Sequence, residues 1–147
     1  MNKVYVKKLN DKAVLPKYGT NFAAGADLFA LLDGESLTIK PGETHFIKTG
    51  ISLAIPEGYA GFIYARSGLS CKKGLAPANK VGVIDCDYRG EIMVALYNHS
   101  NEDRVIEQGE RIAQIVIEKA EQFEFIETDC LDETDRGEKG FGSTGKK

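Results

Sequence analysis

The sequence has no tryptophan, only three cysteines and no long apolar run. Cys71, Cys86 and Cys130 lie far apart and form no C-x-x-C pair, which argues against a disulfide framework or a structural zinc site and fits free thiols. No apolar stretch approaches membrane-spanning length, and the amino terminus lacks the apolar segment of a signal peptide. We therefore expect a cytoplasmic protein without a membrane partner.

The chain also lacks an excess of basic residues. It has 19 lysines and arginines against 22 aspartates and glutamates, a net charge of −3. A general nucleic-acid binder needs a basic face, so we expect no nucleic-acid partner, although a local cationic pocket for a phosphorylated small molecule is compatible with this charge. The two histidines, His45 and His99, are isolated, which is more typical of surface or core residues than of ligands.

The 147 residues, 42% of them apolar, suit one globular domain with a core of its own. Turn signals recur about every eight to twelve residues, the spacing of a sandwich or closed barrel. We predict an all-β, jelly-roll-like barrel with one short helix over residues 67–73, capped by Ser67 and followed by Gly74. Strands are predicted over residues 4–9, 24–32, 37–39, 45–49, 51–55, 59–65, 81–84, 92–97, 105–106, 112–117 and 123–127.

The segment over residues 82–91 combines turn residues with chemically useful side chains. We predict a β-hairpin here, with Asp85, Asp87 and Tyr88 at or near its tip. One interpretation is a small-molecule pocket in which an aspartate acts as a base or a metal ligand. The alternative is a polar turn whose carboxylates are simply solvated.

Three further segments favour phosphate binding but have simpler explanations. Arg66 begins an R-S-G segment. This segment could bind an anion at the start of a helix, or it could be a simple helix cap next to a surface arginine. Residues 109–114 read as a turn into a strand with an exposed salt bridge. The glycine-rich end, with Ser143, Thr144 and Arg136, could bind a polyphosphate through its backbone amides and these side chains. The alternative is a mobile terminus without a ligand. It is not a P-loop, because Lys147 replaces the required serine or threonine and no helix follows.

The order of these segments is far more specific than any one of them. The motifs A-G-A-D-L, R-S-G, G-V-I-D-C-D-Y-R-G-E, G-E-R-I-A-Q and R-G-x-x-G-F-G-S-T-G begin at Ala24, Arg66, Gly82, Gly109 and Arg136. This set resembles the five ordered motifs of trimeric dUTPases and covers nearly the whole chain. The resemblance implies a jelly-roll homotrimer with active sites at its subunit interfaces. It also implies an enzyme that uses Mg²⁺ to cleave dUTP to dUMP and pyrophosphate, and that supplies dUMP for thymidylate synthesis.

The resemblance also implies roles for single residues. Asp85 corresponds to the carboxylate that activates the attacking water, and Tyr88 to the ring that packs on the deoxyribose and excludes a 2′-hydroxyl. Asp27 corresponds to an acidic residue that supports the site. The groups implied to contact uracil and the sugar are Asn79, Gly82, Val83, Ile84, Asp85 and Met93. Those implied to bind phosphates are Arg66, Ser67, Gly68, Gln114 and Arg136.

The end of the chain also acquires a role through this resemblance. Residues 1–135 would form the jelly-roll domain, and residues 136–147 a flexible, glycine-rich lid over the active site. Phe141 would stack over uracil, with Gly142, Ser143 and Thr144 on the phosphates. Mg²⁺ would be held mainly by the triphosphate, so no direct protein ligand is expected.

Two rival functions remain. dCTP deaminases resemble dUTPases in fold, but their catalytic glutamate falls at Ala95 here, and alanine cannot move a proton. A non-enzymatic nucleotide-binding protein on the same fold would lose Asp85, Tyr88 or the tail, and all of these are present.

Overall fold

The computed structural model describes residues 3–140, and within that range it contains twelve β-strands and one π-helical turn. The predicted all-β class is confirmed. The strands are β1 Tyr5–Lys8, β2 Lys17–Tyr18, β3 Ala26–Phe29, β4 Ser36–Ile39, β5 Thr44–Lys48, β6 Ile51–Ala54, β7 Tyr59–Tyr64, β8 Leu75–Pro77, β9 Gly82–Ile84, β10 Met93–Asn98, β11 Arg104–Glu107 and β12 Arg111–Lys119. The π-helical turn, Gly68–Lys72, lies between β7 and β8.

The described strands form four sheets. The largest has five strands in the order β2-β3-β12-β7-β9, a second has three in the order β5-β10-β8, and the pairs β1-β6 and β11-β4 complete the set. Neighbouring strands are antiparallel in each of them. Antiparallel pairing is expected for a fold of this class.

The core forms where apolar residues alternate along the strands. In β10, Val94, Leu96 and Asn98 are buried while the intervening residues are half-buried. In β12, Ile112 and Ile115 point into the same core. Each fully buried isoleucine or leucine contributes about 1.5–3 kcal/mol relative to an exposed one. The largest fully buried apolar side chains are Leu28, Ile39, Ile47, Ile51, Leu75, Ile92, Leu96, Ile106, Ile112 and Val94.

The predicted hairpin over residues 82–91 is wrong. β9 pairs with β7 in the five-stranded sheet, whereas β10 pairs with β5 and β8 in another. Because β10 already has a partner along both edges, it offers no edge to β9. The 85–91 segment is therefore a loop that crosses between two sheets.

The predicted strand over residues 123–127 is also wrong. These residues alternate in sequence, but Phe123 is 74% exposed, Phe125 97% and Ile126 77%. The last backbone hydrogen bond that ties this end to the sheet runs from the Ala120 amide to the Gly58 carbonyl. An alternating pattern makes a strand only where a sheet edge receives it, and within residues 3–140 this segment pairs with none.

The predicted helix over residues 67–73 is present but differs in detail. It is a π-helical turn, and Gly74 follows it with a left-handed φ of 71°. Ser67 was expected to cap it through its side chain, and this is wrong. Ser67 has helical dihedral angles and makes no side-chain cap bond, whereas a capping serine is usually extended.

Two further observations concern the expected cellular setting. Within residues 3–140, none of the helical structure has the length and apolar character needed to cross a membrane. Cys71, Cys86 and Cys130 are all free thiols.

Asn98 is the main polar residue inside the core. It is fully buried, and its Nδ2 donates to the carbonyls of Ile39 and Glu102 at 2.8 Å each. Its Oδ1 accepts from the amide and the hydroxyl of Ser100 at 3.0 and 2.7 Å. Its backbone amide donates to the carbonyl of Glu43, so one side chain joins two turns to β10.

The Glu43 turn is held by a second set of contacts. The Glu43 carboxylate accepts a hydrogen bond from the Lys40 amide at 3.0 Å and lies 3.2 Å from His45 Nε2. The Lys40 amide chiefly, and the His45 side chain next, lower the pKa of Glu43 below its ordinary value. Both contacts favour the ionised carboxylate and hold the turn beside Asn98.

We expect Asn98→Ala to lower the free energy of unfolding by about 2–4 kcal/mol, because buried carbonyl and hydroxyl groups lose their partner. Urea unfolding followed by circular dichroism measures this. Asn101→Ala, at an exposed neighbouring position, is the matched control and should change stability by less than about 0.5 kcal/mol. Equal midpoints for the two variants would contradict the structural role of Asn98.

Candidate active site

The five-stranded sheet gathers four of the five sequence motifs. The first motif leads into β3, the second follows β7, the third begins in β9 and the fourth leads into β12. These strands are neighbours in the order β3-β12-β7-β9. Segments that are far apart in sequence are therefore placed side by side by backbone hydrogen bonds.

Asp27 is the centre of the first group of site residues. It lies in β3, and its side chain is only 14% exposed. Its Oδ1 accepts from Arg66 Nε at 2.7 Å, and its Oδ2 lies 3.3 Å from Arg111 Nη1. A carboxylate that receives two guanidinium groups holds both in defined orientations. Because Asp27 engages Arg66 through Nε, the terminal nitrogens of that guanidinium are left to face another anion.

Gln114 completes this group, which we call the Asp27 cluster: Asp27, Arg66, Arg111 and Gln114. In β12, Gln114 lies opposite Asp27 on one side and Tyr64 on the other. Its Nε2 donates to the Ala65 carbonyl at 2.9 Å. A Cβ at Gly25 would lie 2.6 Å from Gln114 Oε1, so only glycine leaves room for this side chain.

The backbone after Arg66 turns sharply. The Arg66 carbonyl accepts from the Ser70 amide at 2.9 Å, which begins the π-helical turn. Ser67 and Gly68 are exposed at its start. Since the Ser67 hydroxyl makes no cap bond, it is not engaged in holding the turn.

The 85–91 loop forms the second group. Its first part is a turn closed by a hydrogen bond from the Tyr88 amide to the Asp85 carbonyl at 3.2 Å. Asp85 and Asp87 are both exposed, and Cys86 between them packs partly against the core. Asp85, Cys86 and Asp87 line a groove of about 1130 Å³ that runs along β7 and β9.

Tyr88 folds back over the end of the loop. Its hydroxyl donates to the Glu91 carbonyl at 3.1 Å, while its side chain stays 41% exposed. A Cβ at Gly90 would lie 2.2 Å from the Tyr88 hydroxyl oxygen, so the ring occupies the space that any larger residue would need. The loop therefore presents an aromatic ring to the outside in one orientation.

Asn79 lies in the turn before β9. Its carbonyl accepts from the Val81 amide at 2.7 Å, and Lys80 between them adopts a left-handed φ of 65°. A Cβ at Gly82 would lie 3.4 Å from Asn79 Nδ2, so this amide lies beside the start of the strand. Met93, exposed at the start of β10, lies beyond the other end of the loop.

Apart from the tail, the predicted site residues lie in or beside one of these two groups, and the two groups are far apart within one chain. Ile84 lies opposite Gly61, and Arg66 lies past the far end of β7. At about 3.3 Å per strand residue, the backbones of Ile84 and Arg66 are separated by roughly 15 Å, and Asp85 lies further still. The contact with Asp27 also draws the Arg66 side chain towards β3, away from β9.

The predicted tail residues lie elsewhere. Arg136 is exposed, and its Nε donates to the Lys139 carbonyl within the same segment, so the structure does not bring it to either group. Phe141, Gly142, Ser143 and Thr144 lie outside the described residues.

Two residues of the motifs were not singled out from the sequence. Arg111 contacts Asp27, and Glu91 accepts the Tyr88 hydroxyl and, through its carboxylate, the Gly50 amide at 2.9 Å. Both lie inside the sequence motifs, and this position alone could have identified them as candidate site residues. Their partners, however, are set by long-range strand pairing, which the motifs do not reveal.

No cluster of three or more His, Cys, Asp or Glu side chains able to hold a metal ion occurs between residues 3 and 140. The exposed carboxylates of Asp85 and Asp87 are hard oxygen donors of the kind that Mg²⁺ accepts alongside substrate phosphates.

Known proteins match the chain along its length. The family model described as dUTPase matches residues 11–145. A deoxyuridine 5′-triphosphate nucleotidohydrolase from Fusobacterium nucleatum is 49% identical over 147 residues, covering 99% of this chain and 100% of that protein.

Solved structures agree with these matches. A mutant dUTPase of Staphylococcus bacteriophage 80alpha, determined with dUpNHpp, has a TM-score of 0.87 at 32% identity and covers 99% of each chain. A mutant dUTPase from the S. aureus phage phi11, described as coordinating a structural Mg(II) ion, has a TM-score of 0.77 at 27% identity and covers 88% of this chain and 99% of that one. This likeness confirms the predicted jelly-roll class.

Proposed function

This chain belongs to the dUTPase family, and we propose that it hydrolyses dUTP to dUMP and pyrophosphate. The main support is the match along residues 11–145, with four of the five motifs on adjacent strands of one sheet. The relative from Fusobacterium nucleatum carries the name of this activity, and the phage 80alpha dUTPase binds dUpNHpp. The remaining paragraphs derive how the two groups of residues would perform the reaction.

Asp85 is proposed as the general base. Its exposed carboxylate would accept a proton from a water molecule whose oxygen then attacks the α-phosphorus. The bond from that phosphorus to the oxygen bridging towards the β-phosphate breaks, and pyrophosphate leaves with the bonding electrons. Asp87 lies in the same turn and is not assigned this role.

The Asp27 cluster is proposed as the phosphate-binding half of the site. Asp27 would position the Arg66 guanidinium, while Ser67, Gly68 and Gln114 contribute donors beside it. Arg66 and Asp85 would have to meet at neighbouring phosphates, yet they lie more than roughly 15 Å apart in one chain. We therefore propose that each site combines the loop of one subunit with the Asp27 cluster of another, within the homotrimer that the resemblance to dUTPases implies.

Selectivity for deoxyuridine would arise beside β9. The exposed Tyr88 ring would pack on the deoxyribose and leave no room for a 2′-hydroxyl. Asn79, Gly82 and the backbone of Val83, Ile84 and Asp85 would read the uracil edge, since fixed donors and acceptors reject a base that leaves them unpaired. Met93 is proposed to contact the sugar and base from the start of β10.

Mg²⁺ is proposed as the cofactor. The phi11 relative coordinates a structural Mg(II) ion, and the exposed carboxylates of the loop are compatible donors. The triphosphate would supply most of the ligands. When bound, the ion would withdraw charge from the phosphates.

The two ends of the chain are assigned separate roles in this proposal. Residues 1–135 would form the catalytic domain, and residues 136–147 a lid that brings Arg136, Phe141, Gly142, Ser143 and Thr144 over the substrate. We propose a cytoplasmic location, where free thiols persist.

The first test is pyrophosphate release with Mg²⁺ from dUTP, dCTP, dTTP and UTP in parallel. We expect turnover of dUTP to exceed that of the other three by at least about a hundredfold in kcat/KM, because each differs from dUTP at one group of the base or the sugar. Ammonia release from dCTP is measured alongside as a control for deamination. Binding of dUTP without turnover would instead support a nucleotide-binding protein.

We expect Asp85→Asn to lower kcat by about a hundred- to ten-thousandfold while the affinity for dUTP changes little, because the amide cannot accept the proton of water. Single-turnover kinetics and equilibrium titration separate the two effects. Asp103→Asn, at an exposed aspartate outside both groups of site residues, is the control and should keep kcat within about threefold. A kcat near that of the unaltered chain for Asp85→Asn would refute its assignment as the base.

The shared site predicts complementation between two inactive variants. Arg66→Ala and Asp85→Asn chains with different affinity tags are coexpressed, and doubly tagged trimers are isolated. Each doubly tagged trimer contains two chains of one variant and one of the other, so about one in three of its sites combines an intact Arg66 with an intact Asp85, and partial activity should return. Two differently tagged Asp85→Asn chains are the control and should stay inactive. Absence of activity in isolated mixed trimers would place the whole site in one subunit.

A further inference from the structure

The carboxyl-terminal end of the 85–91 loop is tied to the core by four hydrogen bonds. The Gly50 amide donates to Glu91 Oε1 at 2.9 Å, and the Ile92 amide donates to the Ile51 carbonyl at 2.8 Å. The Thr49 amide and hydroxyl both donate to the Ile92 carbonyl, at 3.2 and 2.6 Å. Residues 49–51, which we call the 49–51 turn, therefore fix the place where the loop ends.

The 49–51 turn is itself rigid. Thr49, Gly50 and Ile51 are buried, and Gly50 adopts a left-handed φ of 69°. A Cβ at Gly50 would lie 2.5 Å from Leu31 Cδ2 and 2.8 Å from Ala13 Cβ, so the turn is enclosed on that side. A hydrogen bond to such a turn gives its acceptor little freedom to move.

Glu91 links this turn to the aromatic ring of the loop. Its side chain accepts from Gly50, while its carbonyl accepts from the Tyr88 hydroxyl at 3.1 Å. The ring also lies against Gly90, where no Cβ fits. The orientation of Tyr88 is thus set by two contacts with the segment that Glu91 anchors.

We infer that Glu91 is a positioning residue for substrate selection. Through the Gly50 amide it fixes the backbone that orients Tyr88, and so governs how strongly the site rejects a ribonucleotide. Glu91 itself contacts no substrate in this assignment. The inference rests on the proposed function, because Tyr88 must pack on the sugar for its orientation to matter.

The test compares kcat/KM for dUTP with kcat/KM for UTP in four variants. Glu91→Ala removes the acceptor of the Gly50 amide, and we expect the dUTP/UTP ratio to fall about ten- to a hundredfold. Glu91→Gln keeps a carbonyl oxygen that can accept the same bond and should keep the ratio within about threefold. Tyr88→Phe loses the bond to the Glu91 carbonyl and should lower the ratio in the same direction.

Asn98→Ala is the control for general destabilisation, since it weakens the core away from the 85–91 loop. It should lower the unfolding midpoint without changing the dUTP/UTP ratio. A wild-type ratio in folded Glu91→Ala, with the unaltered chain still selective for dUTP, overturns the role of Glu91 and leaves the proposed function standing. No dUTP hydrolysis by the unaltered chain overturns the proposed function, and the inference with it.

Discussion

The antiparallel pairing of β12 with β3 on one side and β7 on the other is the constraint on which the site depends. This pairing places Gln114 opposite Asp27 and Tyr64, and it brings the end of β7 close enough for Asp27 to receive Arg66. Removing the charge of the Asp27 carboxylate from water costs free energy unless it has such partners. The sheet and the ion pairs of Asp27 therefore stabilise each other. Backbone hydrogen bonding, rather than local sequence, thus assembles the phosphate-binding half of the proposed site.

Much of the fold could be predicted from sequence, because alternation and turn signals report directly on buried strands. β10 and β12 were found this way. The hairpin over residues 82–91 was predicted wrongly, because nothing local shows that both edges of β10 are already occupied. Residues 123–127 alternate equally well but meet no sheet edge in the described chain. Strand character is encoded locally, whereas strand partnership is not.

In the candidate site, too, the identity of the residues is encoded locally, whereas their partners are not. The ordered motifs identified the family, and the structure gave the contacts within them, such as Asp27 with Arg66 and Tyr88 with Glu91. Arg111 was missed individually because its partner lies on another strand. The separation of Asp85 from the Asp27 cluster could not be read from the motifs either, since motif order carries no distance. That separation makes the assembly of chains part of the proposed chemistry.

The buried, left-handed Gly50 has a consequence for how such a chain can evolve. Its amide supports Glu91, while its missing side chain leaves room for Leu31 and Ala13. Under the proposed role of Glu91, a change at these packed positions would alter thermal stability and sugar discrimination together, although none of them is placed in the substrate pocket. Substitutions in this part of the interior would therefore be limited both by stability and by sugar discrimination. Laboratory selection for higher thermal stability at this turn would also change the proposed selectivity for dUTP over UTP.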